Sequence, residues 1–400
     1  MLVDFSCSNH YTHHASYLRS YADFLTRLGC EVEIWINNAA SADVKKYLKN
    51  YRVKAILDSP DYGNTIRSNF LRFFRDRLLG VFLKFLDGMF SEAVSENVRD
   101  ILARNYFSKA YSELLRREYS EGQLNLVFPS VDGIGIRFLK YCLTHQFNSI
   151  GFSVRVINSH SRGLLGVKDA LTMFSKLIAE DKEQKFLIGY ETDTVRKDFS
   201  TLLPSNRLVW APIPPADQQV KSKDRFSCVL GFIGSARKNK GFEDIPAILQ
   251  ILRGNNSDFS AIIQLANFEW PGFQKTYNLL KEFPGNIKFL PGGCSEQELQ
   301  DALKKLDFLV LPYKLDNYRL AGSGLMYQAA DLRIPIFASA GVGFEWDLLE
   351  FGIGDVFRDY GQLPSLISKY KIDYDQLSVA FERYAQARAK WCEVFLRISS

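Results

Sequence analysis

Apolar and polar positions alternate along the chain in a pattern that predicts short buried strands followed by amphipathic helices. An apolar run at Leu2–Cys7 comes first, and apolar side chains then recur at helical spacing from Tyr17 to Leu28, before Gly29. The run Val32–Ile36 predicts a second strand. Strand, helix, glycine and strand in this order form a βαβ unit, which favours a parallel sheet.

The alternation continues up to a proline-rich stretch, and five more strands are predicted before it. They lie at Val53–Leu57, Leu124–Phe128, Phe152–Ile157, Phe186–Tyr190 and Leu208–Ala211. Helices are predicted between these strands at Glu92–Tyr119, Ile134–Leu143 and Lys168–Glu180. The stretch 211–227 contains Pro212, Pro214 and Pro215, and proline blocks sheet pairing. We therefore expect a linker there and a first domain over residues 1–213.

After the linker the alternation begins again, which predicts a second domain over residues 214–376. Its strands are predicted at Cys228–Ser235, Ala261–Leu265, Ile287–Leu290, Phe308–Tyr313, Ile334–Ser339 and Asp355–Arg358. Its helices are predicted at Gly241–Arg253, Gln274–Glu282, Ser295–Leu306 and Leu325–Leu332. Ser295 and Glu298 have the spacing of a capping box. A long helix at Leu377–Ile398 forms the last predicted segment, residues 377–400.

The composition is that of a globular protein, with 46% hydrophobic and 24% charged residues among 400. The net charge of +5 suits anionic small ligands, but without a basic stripe it argues against a nucleic-acid partner. The 6 cysteines are scattered without a C-x-x-C pair, which indicates a reducing compartment. We find neither a signal peptide nor a bilayer-spanning window, so we expect a cytoplasmic protein.

Residues 66–90 differ from the rest because phenylalanines and leucines are interspersed there with cations. Their apolar positions roughly follow one helical face, and the cations are Arg67, Arg72, Arg75, Arg77 and Lys84. A basic amphipathic helix can bind an anionic membrane interface. Two interpretations stay open. Residues 66–90 either bind peripherally at the inner face of a membrane, or form helices that pack on the sheet with their arginines in water.

A Gly-Ser-Gly turn, formed by Gly322, Ser323 and Gly324, stands where the predicted helix Leu325–Leu332 begins. Ser323 is expected to cap the helix, and the glycines let another molecule approach the backbone closely. Free N–H groups at a helix start carry partial positive charge and suit a phosphate, to which Arg319 would add a full charge. A capped turn without a ligand is the alternative.

A second candidate loop follows the predicted strand that runs into Gly234. It carries Arg237, Lys238 and Lys240 before Gly241 and the next helix, which predicts a cradle for a diphosphate. Both loops follow the carboxyl ends of parallel strands in one domain, so we expect them to face the same crevice. A solvated basic loop is the alternative interpretation of the second loop.

Three segments carry a resemblance to a known family: FIGSARKNKG, DFLVLPY and YRLAGSGLMYQAADLRIPI. They are similar to those of GT-B glycosyltransferases of the retaining "group 1" (family 4-like) type, and the likeness covers essentially the whole chain. The resemblance implies an α/β fold with two Rossmann-like domains facing across a cleft and a C-terminal helix crossing back to the N-terminal domain. It also implies an acceptor-binding first domain and a second domain that binds the nucleotide sugar.

Residue by residue, the resemblance implies that Lys240 binds the donor diphosphate. The family's arginine falls on Ser235, and Arg237 is expected to substitute for it. The second glutamate of the family's E-x7-E signature falls on Gln328. The first, which contacts the sugar in the family, has no counterpart near Leu320, and its polar stand-ins are Asp316, Asn317, Tyr318 and Arg319. The donor-binding residues that the resemblance implies are Gly234, Ser235, Arg319, Gly322, Ser323, Gly324, Leu325 and Gln328.

As catalytic residues the resemblance implies His160, after a mid-domain strand, together with Arg237 and Lys240. The expected acceptor-binding residues, in the loop after the first strand, are His10, His13 and His14. Surface histidines are the alternative interpretation of both sets. The implied reaction retains the anomeric configuration, needs no metal, and uses a nucleotide-diphosphate sugar as substrate without a further cofactor.

Three functions are consistent with the sequence. The first is hexosyl transfer to a glycan or lipid-linked acceptor in the synthesis of a bacterial surface polysaccharide. The second is a sugar-nucleotide epimerase on the same scaffold, which would need carboxylates at the second domain's crevice that the sequence lacks. The third is a catalytically weak or inactive module that binds a sugar nucleotide or a membrane, which Gln328 and the missing glutamate support.

Overall fold

The structure is a computed structural model of the 400-residue chain. It describes residues 1–4, 7, 13–37, 40–57, 112–114, 124–131, 139, 150–156, 172, 175, 178–179, 186–217, 227–255, 258–266, 270–372 and 374–397. The chain divides into two compact units. The first contains Met1–Glu191, Val195–Pro214 and Lys390–Ser400, and the second contains Thr192–Thr194 and Pro215–Ala389.

A parallel sheet of seven strands forms the centre of the first unit. The strands are β1 (Leu2–Asp4), β2 (Glu33–Asn37), β3 (Arg52–Leu57), β4 (Leu124–Val131), β5 (Ile150–Val156), β6 (Phe186–Tyr190) and β7 (Leu208–Trp210). Their order is β3-β2-β1-β4-β5-β6-β7. This is the order of doubly wound α/β folds, and it confirms all seven predicted strands, with shifts at their ends.

Helix α1 (His13–Arg27) forms because its apolar residues recur on one helical face, and it contacts β1 and β4. Tyr21 on that face is fully buried, and its hydroxyl donates to Pro212 O over 2.8 Å. Two shorter helices, α2 (Ala42–Tyr47) and α3 (Asp193–Ser200), were not predicted. Each spans too few turns to show a clear apolar period.

A buried ion pair connects the carboxyl ends of three strands in the first sheet. Arg155 on β5 lies 2.7 Å from Glu191, which follows β6, and the two side chains are 0% and 1% exposed. Arg155 Nε donates to Ala211 O, directly after β7, over 2.7 Å. The guanidinium also lies 5.0 Å from the centre of the Tyr17 ring on α1. These contacts fix the edge of the sheet at which such folds bind ligands.

The second unit is built on a parallel sheet of six strands. They are β8 (Val229–Phe232), β9 (Ser260–Leu265), β10 (Asn286–Pro291), β11 (Phe308–Leu311), β12 (Ile336–Ser339) and β13 (Gly354–Phe357), in the order β10-β9-β8-β11-β12-β13. All six predicted strands are confirmed with shifted ends, and β8 stops at Phe232, before the predicted end. Two of the shifts have a clear cause. Strand β11 stops before Pro312 and β12 starts after Pro335, because proline donates no ladder hydrogen bond.

Eight helices accompany this sheet among the residues that the structure describes. They are α4 (Ile245–Gly254), α5 (Phe273–Lys281), α6 (Glu296–Leu303), α7 (Leu315–Tyr318), α8 (Gly324–Asp331), α9 (Glu345–Phe351), α10 (Leu363–Ile372) and α11 (Tyr374–Leu396). The capping box predicted for α6 is confirmed. Ser295 Oγ accepts from Glu298 N over 3.2 Å, and Glu298 Oε2 accepts from Ser295 N over 2.7 Å.

Helix α11 contributes residues to both units, those before Lys390 to the second and the following ones to the first. In the second unit, Arg388 is fully buried, and its Nη1 lies 2.7 Å from Asp331 Oδ1 on α8. Its guanidinium also lies 4.9 Å from the ring centre of Tyr327 and 5.3 Å from that of Tyr384. The buried charge thus fixes α11 against α8.

The last turns of α11 complete the core of the first unit. The ring of Phe395 lies 6.2 Å from that of Tyr21 on α1. Asn125 Nδ2 on β4 donates to Leu396 O over 2.5 Å. A Cβ at Gly189 on β6 would lie 2.8 Å from the Phe395 ring, so this glycine makes room for the helix.

Several predictions fall outside the described residues. These are His10, His160, the basic stretch 66–90, and most of the helices predicted at Glu92–Tyr119, Ile134–Leu143 and Lys168–Glu180. Among the helices that are described, none combines the length and the apolar character needed to cross a bilayer.

Candidate functional site

The order of the second sheet places two loops side by side at the carboxyl ends of β8 and β11. The two strands are paired neighbours at the point where the strand order reverses. We call residues 233–241 the β8 loop and residues 312–323 the β11 loop. Doubly wound sheets bind their ligands at such a reversal, outside the carboxyl ends of the strands. Topology alone therefore selects this edge as the candidate site.

The β8 and β11 loops are in direct contact, as the sequence predicts. Lys314 N donates to Asn239 O over 2.9 Å, which joins the two backbones. Lys240 Nζ lies 5.4 Å from the centre of the Tyr313 ring, an arrangement in which the ring face attracts the cation. The loops thus form one continuous wall at the strand ends.

Gly241 sets the distance between the two loops. Its φ is +71°, a left-handed conformation, and a Cβ at this position would lie 2.0 Å from Pro312 O. Gly241→Ala is expected to lower the free energy of unfolding by about 1–3 kcal/mol through backbone strain, with the clash adding to this loss. Chemical denaturation measures the change.

The matched control is Gly254→Ala. Gly254 is the last residue of α4, and a Cβ there would meet no atom within 4 Å. Alanine in a helix is more favourable than glycine, so this variant is expected to be as stable as the wild type or more stable. Equal stability of the two variants would contradict the role given to Gly241.

Lys240 is a half-buried cation that lies between the two loops. Burial lowers the pKa of its ammonium, Tyr318 raises that pKa in part, and Arg237 lowers it further. An ammonium that has lost part of its water interacts more strongly with an anion, because the local dielectric constant is lower. The side chain is thus suited to a ligand that carries concentrated negative charge.

Gly234 lets the backbone of the β8 loop pass close to Lys240 and α8. Its φ is +119°, and a Cβ there would lie 3.1 Å from Lys240 Nζ and 3.2 Å from Leu325 Cδ1. Gly234 N donates over 2.8 Å to Oε1 of Gln264, a residue of β9, and this hydrogen bond fixes the glycine turn. The ammonium, the glycine turn and the first turn of α8 therefore meet at one place.

Ser323 stands at the N-cap position of α8, but its side chain makes no cap hydrogen bond. The predicted side-chain cap is therefore wrong. The hydroxyl lies instead beside the Tyr313 phenol. Burial raises the pKa of Tyr313 to about 12, and the Ser323 hydroxyl offsets part of that rise. The first N–H groups of α8, from Gly324 and Leu325, have no partner within the helix and carry its partial positive charge.

Gln328 lies one turn after Gly324 on α8, at helical spacing that puts both on one face. Its Oε1 is buried and has no hydrogen-bond partner in the part of the chain that the structure describes. An unpaired buried oxygen is costly, and a hydroxyl donated by a ligand would satisfy it. The position expected to hold the donor's ribose thus has an acceptor available.

The remaining predicted donor-binding residues differ in how far they reach the site. Ser235 forms a bridge with Ala266, and its carbonyl accepts from Arg237 N over 2.8 Å, so its backbone shapes the β8 loop. The side chains of Arg237 and Arg319 are exposed, and Gly322 is half-buried just before α8. Arg237 still lies close enough to Lys240 to lower its pKa.

The predicted histidines belong to the first unit. His13 and His14 are the first two residues of α1, in the segment that follows β1. His10 and His160 lie outside the described residues. The roles that the resemblance gives to these four histidines therefore stay predictions.

Two residues of the site, Tyr313 and Gln264, were not predicted from the sequence, and Tyr318 was predicted only as a polar stand-in for the family's first glutamate. Tyr313 and Tyr318 lie beside Lys240, with their ring centres 4.2 Å apart. The side chain of Gln264, which is 9% exposed, accepts the hydrogen bond from Gly234 N that fixes the glycine turn. The signal for Gln264 was visible, because a glutamine in the otherwise apolar strand SAIIQL needs a polar partner. Tyr313 follows the end of β11, where glycines and cations, rather than aromatic residues, signal a phosphate site in a sequence.

A cleft of about 510 Å³ opens at the opposite edge of the second sheet. It is lined by strand starts and by the end of α6, among them Val229, Ser260, Asn286, Lys304 and Lys305. Sheets of this topology bind ligands at the carboxyl edge rather than at this one. We therefore assign the functional site to the β8 and β11 loops.

Comparisons with known proteins agree with this topology. No protein-family profile matches the chain, and no curated protein matches it. Solved structures do match it. A sucrose-phosphate synthase from Thermosynechococcus elongatus is 12% identical, with a TM-score of 0.59 over 99% of this chain and 96% of that one. A glycosyltransferase from Rickettsia africae is 8% identical, with a TM-score of 0.57 over 99% and 95%.

A third structure is WaaG, a glycosyltransferase involved in lipopolysaccharide biosynthesis. It is 13% identical, with a TM-score of 0.50 over 99% of each chain. At such low identity the likeness concerns the fold rather than the reaction. The chain has the α/β fold of GT-B glycosyltransferases, with two Rossmann-like units that each contain one parallel sheet.

Proposed function

We propose that the protein is a glycosyltransferase that moves a sugar from a nucleotide-diphosphate sugar to a glycan or lipid-linked acceptor. The proposal is carried by the half-buried Lys240 ammonium, which lies at the strand ends beside the first turn of α8. A partly desolvated cation next to free helix N–H groups suits a diphosphate. The fold shared with solved glycosyltransferases supports the same reaction class.

In the proposed reaction, the bond between the anomeric carbon and the diphosphate oxygen breaks. The acceptor oxygen bonds to that carbon on the same face, and its proton passes to the departing phosphate oxygen. Lys240, Arg237 and the N–H groups of α8 stabilise the charge that grows on the diphosphate. The resemblance supports retention, independence from metal, and the absence of a protein nucleophile.

The first unit is proposed to supply the acceptor side of the reaction. His160 would hydrogen-bond the donor sugar, and the histidines that would contact the acceptor are His10, His13 and His14. The basic amphipathic pattern of residues 66–90 supports peripheral association with an anionic membrane. A role in bacterial surface polysaccharide synthesis is supported by the fold likeness to WaaG.

The test is a transfer assay with the full chain, UDP-, GDP- and ADP-sugars, and a panel of glycan and lipid-linked acceptors. Transfer with retention, read from the anomeric signals of the product and unaffected by a chelator, supports the proposal. Gln328 favours a second candidate, a nucleotide-binding module, because an amide replaces the expected carboxylate there. Binding of a nucleotide without turnover would favour that module, and a lack of binding would exclude both.

The affinity for nucleoside diphosphates is expected to fall as the pH rises, and to do so at lower pH than an ordinary lysine would give. Burial lowers the pKa of Lys240. The anion needs the protonated amine, so affinity is full below this lowered pKa and is lost as the pH rises through it. Calorimetric titrations from neutral to alkaline pH measure the profile. Lys240→Arg should flatten it, because a guanidinium stays charged; identical profiles would contradict the assignment.

A further inference from the structure

Two tyrosines and Lys240 form one cluster at the carboxyl end of β11. The rings of Tyr313 and Tyr318 lie 4.2 Å apart at an angle of 34°. Lys240 Nζ lies 5.4 Å from the centre of the Tyr313 ring. The cluster belongs to the wall that the β8 and β11 loops form, so any anion bound by Lys240 also approaches the tyrosines.

The two phenols differ in what their hydroxyl groups can reach. Tyr313 is 3% exposed, and its hydroxyl lies inside the protein beside Ser323. Tyr318 is only half-buried, at the last residue of α7. Tyr313 therefore supports the neighbouring ring, whereas the hydroxyl of Tyr318 is accessible to a ligand.

The backbone holds Tyr318 in place before any ligand binds. Tyr318 O accepts from Gly343 N over 2.7 Å, and Tyr318 N donates to Lys314 O over 3.2 Å. A Cβ at Gly343 would lie 3.0 Å from Ala321 O, so a glycine allows this close approach. Two residues after Tyr318, the carbonyl of Leu320 accepts from Thr192 Oγ1 over 2.9 Å. A donor group fixed in this way loses little entropy on binding.

Among the residues that the structure describes, the hydroxyl of Tyr318 is a donor without an acceptor. Burial raises its pKa, while Lys240 and Arg237 lower it, so the phenol keeps its proton near neutral pH. Within the described ranges, no side chain or carbonyl accepts a hydrogen bond from this hydroxyl. The charged groups that influence it, Lys240 and Arg237, are both cations. A negatively charged oxygen of a ligand is the partner that fits all three groups.

We propose that Tyr318 Oη donates a hydrogen bond to the diphosphate of the donor nucleotide, beside Lys240. This inference rests on the proposed function and adds a phenol hydroxyl to the cations and helix N–H groups that are proposed to bind the diphosphate. The hydroxyl binds and orients the phosphate, and no proton is transferred. Tyr318 is thus a donor-binding residue rather than an acid or base.

The test compares Tyr318→Phe with Tyr277→Phe in the full chain by calorimetry, because Tyr277 lies on α5, outside the β8 and β11 loops, with its ring stacked on Phe273. The probes are UDP, GDP and ADP, the nucleoside of the best of these, and inorganic pyrophosphate. Tyr318→Phe is expected to lose on the order of ten- to a hundredfold in affinity for the diphosphates and for pyrophosphate, as for a hydrogen bond to a charged group. Its affinity for the nucleoside should be unchanged. Tyr277→Phe should bind all of them nearly as the wild type does.

Phenylalanine keeps the ring stacked on its neighbour, and the unfolding temperature of each variant checks that the fold is retained. Wild-type affinity for the diphosphates in Tyr318→Phe, with binding weakened in Lys240→Ala, would overturn this inference and leave the proposed function standing. An equal loss for nucleoside and diphosphate would overturn it too, because the hydroxyl would then contact the base or ribose. If the wild type binds none of the nucleoside diphosphates, the proposed function fails, and this inference fails with it.

Discussion

Lys240→Ala is expected to lower the kcat/KM for glycosyl transfer by about a hundredfold or more, as removal of one preorganised donor does in other enzymes. The ammonium lies where Gly234 and the first turn of α8 meet, so no water-filled space separates it from the glycine turn. Negative charge grows on the leaving diphosphate in the transition state, and the Lys240 ammonium, which the variant lacks, would have stabilised that charge. Steady-state kinetics with the best donor sugar measures the effect.

Lys238→Ala is the matched control, because Lys238 lies on the same short turn as Lys240. Its side chain is 72% exposed, and its Nζ is 3.9 Å from Glu243, so it contributes little to a buried anion site. We expect this variant to keep close to wild-type activity. Lys240→Arg should keep part of the rate, since it retains the charge with a different shape. A wild-type rate in Lys240→Ala would remove this residue from the site.

Arg388→Ala is expected to lower the free energy of unfolding of the second unit by about 3–5 kcal/mol, the usual effect of removing one partner of a buried ion pair. Asp331 would be left as a nearly buried carboxylate without its cation. The stacking of the guanidinium on Tyr327 and Tyr384 would be lost as well. Because Asp331 ends α8, the loss should also loosen the helix whose first turn lies in the candidate site. Chemical denaturation measures the stability.

Two further variants separate the charge from the packing. Arg383 lies five residues before Arg388 on α11, where it is exposed and donates to Glu350 O. Arg383→Ala should lower the free energy of unfolding by only about 1 kcal/mol. The double variant Arg388→Met with Asp331→Leu removes both charges and should recover much of the stability, because apolar residues of similar volume can replace a buried pair. If the double variant is as unstable as Arg388→Ala, the loss of stability comes from the lost packing of the arginine side chain and not from the unpaired charge of Asp331.

The fold could be predicted because its signals are local. Each strand shows an apolar run, and the linker and the capping box at Ser295 carry their own residue types. The strand limits near Pro312 and Pro335 were missed, although both prolines were visible, because an apolar run hides the lost N–H group. Helices α2 and α7, with 6 and 4 residues, are too short to show a period.

The candidate site could be predicted only as far as its loops. Lys240 and Gly234 were found because glycines and cations directly after a strand end are a local pattern. The hydrogen bond from Gly234 to Gln264 joins residues 30 positions apart, which depends on the strand order. Ser323 was expected to cap α8, but its side chain turns towards Tyr313 instead. Side-chain direction is set by tertiary neighbours, and periodicity does not encode it.

The last turns of α11 affect how the protein folds during its synthesis on the ribosome. Multidomain chains generally fold from the amino terminus while they are being translated. Here Phe395 and Leu396 contact Tyr21 and Asn125 in the first unit, yet the ribosome adds them only after the whole second sheet. A nascent chain that has not reached Lys390 therefore exposes an unfinished apolar surface on its amino-terminal half, and chaperones would have to shield that surface until translation supplies the missing turns.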